Sequence, residues 1–231
     1  MTLYADALDG SEAQMYGHRG FVYESMWIGL LRVMRNTYVP GSRKQTTIEL
    51  TSSRDGRHWS RVGRREQVIP LGPAESWDPH YHDPFSPPLL VGDRLWIYYR
   101  SMPLLERSNP QAGERKIARI GLATLRRDGF ASLDAGDETG LVVTRPLTFE
   151  PGRLHVNAVM SDGGSLRAEV RDVDGNPVEP FTLARCTALT GDRAEGVISW
   201  NDESTLRRED DQSLRIAFEL RNARLYSFWI E

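Results

Sequence analysis

Cysteine is almost absent from this chain of 231 residues, and its scarcity restricts the possible chemistry. The single thiol, Cys186, cannot form an intramolecular disulfide, and no second cysteine exists for a structural zinc site. The apolar run around Cys186 favours a small buried side chain over the accessible, electropositive surroundings of a reactive thiol. We therefore predict a buried, inert Cys186 and no disulfide framework.

Long apolar runs are missing as well, since no stretch approaches the roughly 20 residues needed to span a bilayer. The N-terminus lacks the charged and apolar regions of a signal peptide. The formal net charge of −3 gives no overall attraction to phosphate backbones or acidic membranes, and the cluster of Arg61, Arg64 and Arg65 is interpreted as a solvated strand edge. We predict neither a nucleic-acid nor a membrane partner. The expected location is cytoplasmic for the chain as given, and secreted or periplasmic if an N-terminal signal is missing from it.

Helical signals are nearly absent, and what stands in their place is typical of an all-β protein. Short runs rich in β-branched and aromatic residues alternate with turn sequences such as Asp55-Gly56 and Gly92-Asp93. The segment from Phe21 to Leu31 is long enough for a helix, but its β-branched and aromatic residues and its glycine favour two strands joined by a turn near Glu24. Tryptophans that follow such turns, Trp59 and Trp96, are predicted to pack inward.

Two β-domains are predicted, with a boundary near residue 130, where the composition changes. Residues 1–130 carry successive antiparallel hairpins of the kind found in propeller blades. Residues 131–231 carry shorter alternating strands separated by turns, which favours a β-sandwich with Trp200 and Trp229 as packing residues. The strands expected there are 141–144, 152–158, 165–172, 194–200, 213–220 and 223–230.

Four stretches in this order resemble the C-terminal region of bacterial proteins related to glycoside hydrolase families 32 and 43. They are Tyr23–Gly29, Ser53–Trp59, Gly92–Tyr99 and Ile120–Phe130, and the tail from Pro146 to Phe228 resembles the β-sandwich of the same group. In those families a five-bladed propeller carries the active site. The residues before the boundary are too few for five blades, so the resemblance implies an incomplete propeller. The chain is then either a piece of a longer enzyme or a shortened relative.

Glycoside hydrolysis generally needs two carboxyl groups, one of them a general acid whose pKa is raised by burial. Glu24 stands among Tyr23, Met26 and Trp27 and is the first candidate. Asp78 follows Trp77 and is the second. The competing interpretations are a surface glutamate at a strand end and an aspartate that caps a loop.

The proline-rich segment from Trp77 to Pro88 holds the densest set of functional groups, and we predict that it lines a pocket. His80 and His82 would share one face of a strand, which raises the possibility of a metal, but a hydrogen-bonding role is favoured over it. No cofactor and no metal are predicted. The predicted substrate-binding residues are Trp27, Trp77, His80, Tyr81, His82, Asp83 and Arg100.

These residues predict a glycoside hydrolase-like protein that acts on a furanoside or related oligosaccharide. Two alternatives stay open. One is a carbohydrate-binding or accessory module that lacks a complete pair of catalytic carboxyls. The other is a structural β-domain that forms homo-oligomers through exposed blade edges.

Overall fold

The computed structural model describes residues 3–35, 45–101, 118–201, 203–208 and 212–231. Within these ranges the chain forms fourteen β-strands and no helix, which confirms the predicted all-β class. The chain divides into two units, Met1–Arg126 and Arg127–Glu231. The sequence prediction placed this boundary near residue 130. No helix long and apolar enough to span a membrane occurs in the part of the chain that the structure describes.

The first unit opens with a four-stranded antiparallel sheet whose strands follow one another in chain order. The pairing of Tyr23 with Met26 leaves only Glu24 and Ser25 in the turn between the first two strands. The predicted turn near Glu24 is therefore confirmed. The strands are β1 (Ala13–Tyr23), β2 (Met26–Arg35), β3 (Gln45–Ser53) and β4 (Ser60–Arg61).

Both faces of this sheet are covered along its central strands. On one face Leu30 pairs with Leu50, and Arg32 with Ile48; on the other, Leu31 pairs with the buried Glu49. The apolar side chains of both faces supply the burial that holds the meander together.

An ion-pair network covers the second face and corrects one expectation. Arg61 is nearly buried between Glu49 and Asp9, to both of which it donates hydrogen bonds. Arg65 pairs with Asp6 and Asp9. The prediction of a solvated strand edge is wrong for Arg61 and Arg65, because acidic groups distant in sequence pair with both side chains.

The second sheet of the first unit is built around β7, which pairs with the three other strands. The predicted turn at Gly92-Asp93 is confirmed, since Val91 pairs with Arg94 and Gly92 has the positive φ of 62° that glycine tolerates best. The strands are β5 (His82–Pro84), β6 (Leu89–Val91), β7 (Arg94–Ser101) and β8 (Arg119–Arg126).

Strict alternation along β7 gives this sheet two different faces. Leu95, Ile97 and Tyr99 are buried on one face, whereas Trp96 and Tyr98 are only half-buried on the other. Trp96 was predicted to pack inward. Because it lies two positions from Tyr98 on the same strand, it shares the less buried face with Tyr98 instead. Trp59 is also half-buried and makes an edge contact with His18 at 4.4 Å between ring centroids.

The second unit is one six-stranded sheet dominated by two long strands. Predicted strands 152–158 and 165–172 are a single strand, as are 213–220 and 223–230. The two long strands stay paired through Gly163 and Asn222, which both have a positive φ. At these residues the β11–β14 pairing shifts register but does not end. The strands are β9 (Leu133–Ala135), β10 (Gly140–Val143), β11 (Gly152–Arg171), β12 (Asp192–Val197), β13 (Thr205–Leu206) and β14 (Arg215–Ile230).

Residues from both halves of β11 and β14 belong to one hydrophobic core. Leu154 and Val170, near opposite ends of β11, both contribute to it, as does the predicted packing residue Trp200. Trp229 stacks on His155 at 5.2 Å between centroids. Cys186 is buried in the same core, as predicted, and burial raises the pKa of its thiol.

Candidate functional site

A carboxylate held by arginines, Asp83, is the centre of the most polar part of the first unit. Asp83 is buried on β5, and its Oδ1 lies 2.7 Å from Nη1 of Arg32. Its Oδ2 accepts a hydrogen bond of 2.9 Å from Nη2 of Arg100. The hydroxyl of Tyr81 lies between the two guanidinium groups and accepts from both, at 3.0 and 3.1 Å. Two sheets are thereby joined within this unit, since Arg32 belongs to β2 and Arg100 to β7.

A third arginine approaches the same carboxylate from the edge strand β1. Nη2 of Arg19 lies 3.9 Å from Oδ1 of Asp83, and about half of the Arg19 side chain is exposed. An open depression of about 180 Å³ lies here. Its lining residues are Gly17, His18, Arg19, Leu30, Arg32, Asp83 and Pro84.

A bulge in β1 shapes this depression. The pairing of β1 with β2 shifts register between Met15 and Gly17, so that Gly17 stands opposite Arg32. A Cβ atom on Gly17 would lie 2.9 Å from Nη2 of Arg32. Gly17 therefore allows the guanidinium group to lie directly over the strand, and bulges commonly re-aim side chains in this way.

Histidine at the rim does not add charge near neutral pH. Nε2 of His18 lies 2.8 Å from the hydroxyl of Thr51, and burial of the ring lowers the pKa of His18. The charged residues that line the depression are therefore Arg19, Arg32 and Asp83, and Arg100 pairs with Asp83.

A second carboxylate, Asp78, lies in a separate cluster. The hydroxyl of Tyr99 donates to its Oδ2 at 2.9 Å, and the hydroxyl of Ser76 donates to its Oδ1 at 2.8 Å. Nε2 of His82 lies 3.5 Å from the same Oδ2, which is longer than a normal hydrogen bond. Trp77 stacks on Tyr99 at 5.7 Å between ring centroids.

The titration of this cluster reflects its burial and its hydroxyl groups. Burial acts to raise the pKa of Asp78, but hydrogen bonds from Ser76 and Tyr99 outweigh it and leave the pKa below its usual value. Burial and the hydrogen bond to Asp78 together raise the pKa of Tyr99 to about 12. Burial lowers the pKa of His82 against the opposing effects of the Ile69 carbonyl and Asp78. The cluster therefore holds an ionised carboxylate beside a neutral phenol.

Strand alternation separates the two carboxylates. Asp83 pairs with Arg100, whereas its neighbours His82 and Pro84 pair with Ser101 and Tyr99. Paired residues share a face and consecutive residues point to opposite faces, so Asp83 and the His82–Tyr99 group lie on opposite sides of this sheet. Asp78 accepts a hydrogen bond from Tyr99 and therefore lies on the face opposite Asp83. The segment from Trp77 to Pro88 thus does not line one common pocket.

Glu24, the first candidate acid, is exposed in the turn between β1 and β2, where it has a φ of 48°. The burial on which its predicted role depends is therefore absent. Trp27 is half-buried, and its ring packs against Gly56, where a Cβ atom would lie 2.9 Å from the indole. Trp27 thus packs against the Asp55-Gly56 turn.

The remaining predicted binding residue, His80, is buried, and its backbone carbonyl accepts a hydrogen bond of 2.8 Å from the amide of Thr46. His82 is completely buried, with Nδ1 3.2 Å from the Ile69 carbonyl. Across the described ranges, no three histidine, cysteine or acidic residues are grouped to hold a metal ion. Of the predicted binding residues, Tyr81, Asp83 and Arg100 are brought together by hydrogen bonds, and Asp83 lines the depression.

Sequence reasoning missed Arg19 and Arg32, which complete the site. One signal was present, since Arg32 interrupts an otherwise apolar series on one face of β2, formed with Ile28, Leu30 and Met34. A charged residue in such a position needs a partner when buried. That partner, Asp83, lies about fifty positions along the chain, and local patterns do not show it.

Comparison of the chain with protein-family models, with curated proteins and with solved structures gave no significant match. The resemblance to glycoside hydrolase families 32 and 43 therefore depends on the sequence motifs alone. The geometry of the site has to support any function by itself.

Proposed function

We propose that the first unit binds a carbohydrate in the depression beside Asp83 and does not hydrolyse it. The observation that carries this proposal is the arrangement of Arg19, Arg32 and Asp83 at an open depression, with Arg100 paired to the same carboxylate. Ordered guanidinium and carboxylate groups at a concave surface are suited to orienting a polar ligand. The resemblance to sugar-acting families suggests the same ligand class.

The size of the depression limits what it accepts. At about 180 Å³ it is smaller than the roughly 300–1,000 Å³ of typical ligand sites. One sugar residue at the end of a glycan fits such a volume, whereas an extended oligosaccharide would lie mostly outside it. We therefore propose recognition of a single terminal or branching residue.

Binding is favoured over hydrolysis by the environment of the carboxyl groups. Five carboxylates are buried among the described residues: Asp9, Glu49, Asp78, Asp83 and Glu169. All but Asp78 are salt-bridged to arginine, and the pKa of Asp78 is lowered. A general acid for glycoside hydrolysis needs the opposite environment, in which burial without a compensating charge raises the pKa.

The proposal is tested by titrating the full chain with a panel of monosaccharides and short glycans in a calorimeter, and by assaying the same panel for hydrolysis. We expect heat of binding without release of product. Asp83→Asn, which removes the charge that fixes Arg32 and Arg100, should weaken binding by about tenfold or more. Asp93→Asn, in the exposed turn before β7, is the matched control and should bind like the wild type.

Two results would contradict the proposal. Turnover of any glycoside by the wild-type chain would restore the hydrolase interpretation. Absence of binding across the panel, with a circular dichroism spectrum showing folded β-structure, would exclude a carbohydrate ligand of the tested types. Circular dichroism of Asp83→Asn separates loss of the site from loss of the fold.

A further inference from the structure

We infer that the sugar recognised in the depression is acidic, a uronic-acid residue whose carboxylate lies against Arg19. The inference deepens the proposed carbohydrate binding and rests on it. Three observations support it: the hydrogen-bonding capacity left in the cluster, the freedom of one arginine and the balance of charge.

Hydrogen-bonding capacity distinguishes an acidic ligand from a neutral one. Both oxygens of Asp83 are already engaged, Oδ1 by Arg32 and Oδ2 by Arg100. The Tyr81 hydroxyl accepts from those same two guanidinium groups and lies 3.3 Å from Oδ2, to which it donates. The acceptors of the cluster are thus largely used, whereas arginine offers five N–H donors and no acceptor. A ligand that only accepts hydrogen bonds, as a carboxylate does, complements this surplus of donors.

Arg19 is the group best placed to supply those donors. The distance of 3.9 Å between its Nη2 and Oδ1 of Asp83 is too long for a hydrogen bond, and its side chain makes no other polar contact within the described ranges. Arg32 is held much more tightly, at 2.7 Å from Asp83, with a largely buried side chain. A half-exposed guanidinium group at the rim can turn toward a ligand carboxylate and bind it through two parallel N–H···O bonds.

Charge favours an anion in the same place. Arg19, Arg32 and Arg100 surround Asp83, so three positive charges meet one negative charge. His18, the titratable group on the same rim, has a pKa lowered by burial and adds no charge near neutral pH. Leu30 and Pro84 are the apolar residues of the lining, so its polar surface comes mainly from the charged groups.

The test compares galacturonate and glucuronate with galactose and glucose in calorimetric titrations of the full chain. Acetate, sulfate and inorganic phosphate serve as anions without a sugar ring. We expect each uronate to bind at least about tenfold more tightly than its neutral counterpart, because a charge-assisted pair adds roughly that much. The affinity should fall with added salt, since an exposed guanidinium group is screened.

Arg19→Gln tests the residue assignment. This variant should lose the preference for uronates while keeping any residual binding of galactose, and Arg19→Lys should restore it in part. Arg94→Gln, an exposed arginine at the far end of β7 from Arg100, changes the net charge equally and should leave the preference intact.

The outcomes separate this inference from the proposed function. Neutral sugars that bind as tightly as uronates would overturn the acidic ligand and leave carbohydrate binding standing. No binding of any sugar would overturn both. Acetate, sulfate or phosphate binding as tightly as the uronates would show a simple anion site and overturn recognition of a sugar. Loss of the uronate preference in Arg94→Gln to the same extent as in Arg19→Gln would overturn the role of Arg19.

Discussion

Two hydroxyl groups determine the ionisation state of the buried carboxyl group of Asp78. Burial alone acts to raise its pKa, yet the hydrogen bonds from Ser76 and Tyr99 lower it. Hydrogen bonds to a charged group typically contribute about 1.5–3 kcal/mol, enough to reverse a moderate desolvation cost. Asp83 is held differently, by the guanidinium groups of Arg32 and Arg100. The two aspartates are therefore fixed by independent sets of partners.

Tyr99→Phe tests the hydroxyl contribution through the pH dependence of stability. In the folded protein the pKa of Tyr99 is about 12, above the ordinary value of 10.0, so the folded state binds the phenolic proton more tightly than the unfolded state does. The stabilisation is then fully present below pH 10 and is lost as the pH rises toward about 12. We expect Tyr99→Phe to lower the free energy of unfolding by about 1.5–3 kcal/mol at neutral pH. That difference should shrink across the alkaline range.

Urea unfolding followed by tryptophan fluorescence at a series of pH values measures both effects. Tyr98→Phe is the matched control, because Tyr98 is half-buried on the opposite face of the same strand. If the loss of unfolding free energy in Tyr99→Phe did not change between neutral pH and about pH 12, the phenol of Tyr99 would not titrate as its surroundings predict.

Sequence reasoning at this scale found Tyr81, Asp83 and Arg100 but not their arrangement. Their segment was predicted to line one pocket because its functional groups are dense. Strand alternation decides otherwise, since Asp83 and His82 point to opposite faces. The contribution of Arg19 depends on pairing between distant strands, which a local pattern does not specify.

At the scale of elements, the turn between β1 and β2 combines a correct prediction with an incorrect one. The turn was recognised from its residues, and Tyr23 pairs with Met26 as expected of a tight hairpin. The aromatic neighbours of Glu24 suggested burial, but the turn projects Glu24 into solvent. Side chains next to each other in sequence do not surround one another when they alternate along a strand.

Glu24→Gly tests the backbone requirement of this turn. Glu24 has a φ of 48°, a left-handed conformation that costs an L-residue roughly 1–2 kcal/mol. Glycine removes that strain but loses about 0.5–1 kcal/mol of backbone entropy. We expect the free energy of unfolding to stay level or to rise by up to about 1 kcal/mol, as measured by urea denaturation.

The neighbouring turn residue supplies the control. Ser25 does not have a positive φ, so Ser25→Gly loses entropy without relieving strain and should destabilise by about 0.5–1 kcal/mol. A larger destabilisation by Glu24→Gly than by Ser25→Gly would mean that the glutamate side chain contributes more than its exposed position indicates.

The long strands of the second unit show why element boundaries were harder to predict than strand content. Gly163 and Asn222 lie in the gaps between the predicted strands, and glycine and asparagine are residue types that favour turns. In the sheet they mark irregular pairing, where β11 and β14 change register and continue. Bulges and turns favour the same residue types. They are distinguished by whether pairing with the partner strand continues past them.

At the scale of the whole molecule, the two units each bury their own apolar residues. Leu30 is buried in the first unit, and Phe218 belongs to the core of the second. Units with separate cores can unfold in separate steps, and a single free energy of unfolding then does not describe the chain. We therefore expect two transitions in chemical denaturation of the full chain.

Paired truncations assign those transitions. Phe218→Ala and Leu30→Ala each remove a buried side chain, at a cost of about 3–5 and about 2–5 kcal/mol respectively. Phe218→Ala should move only the transition of the second unit, and Leu30→Ala only that of the first. Leu141→Ala, at an exposed position of β10, is the surface control and should move neither. If each core variant shifted the whole unfolding curve alike, the two units would unfold as one cooperative body, and the expectation of two transitions would be wrong.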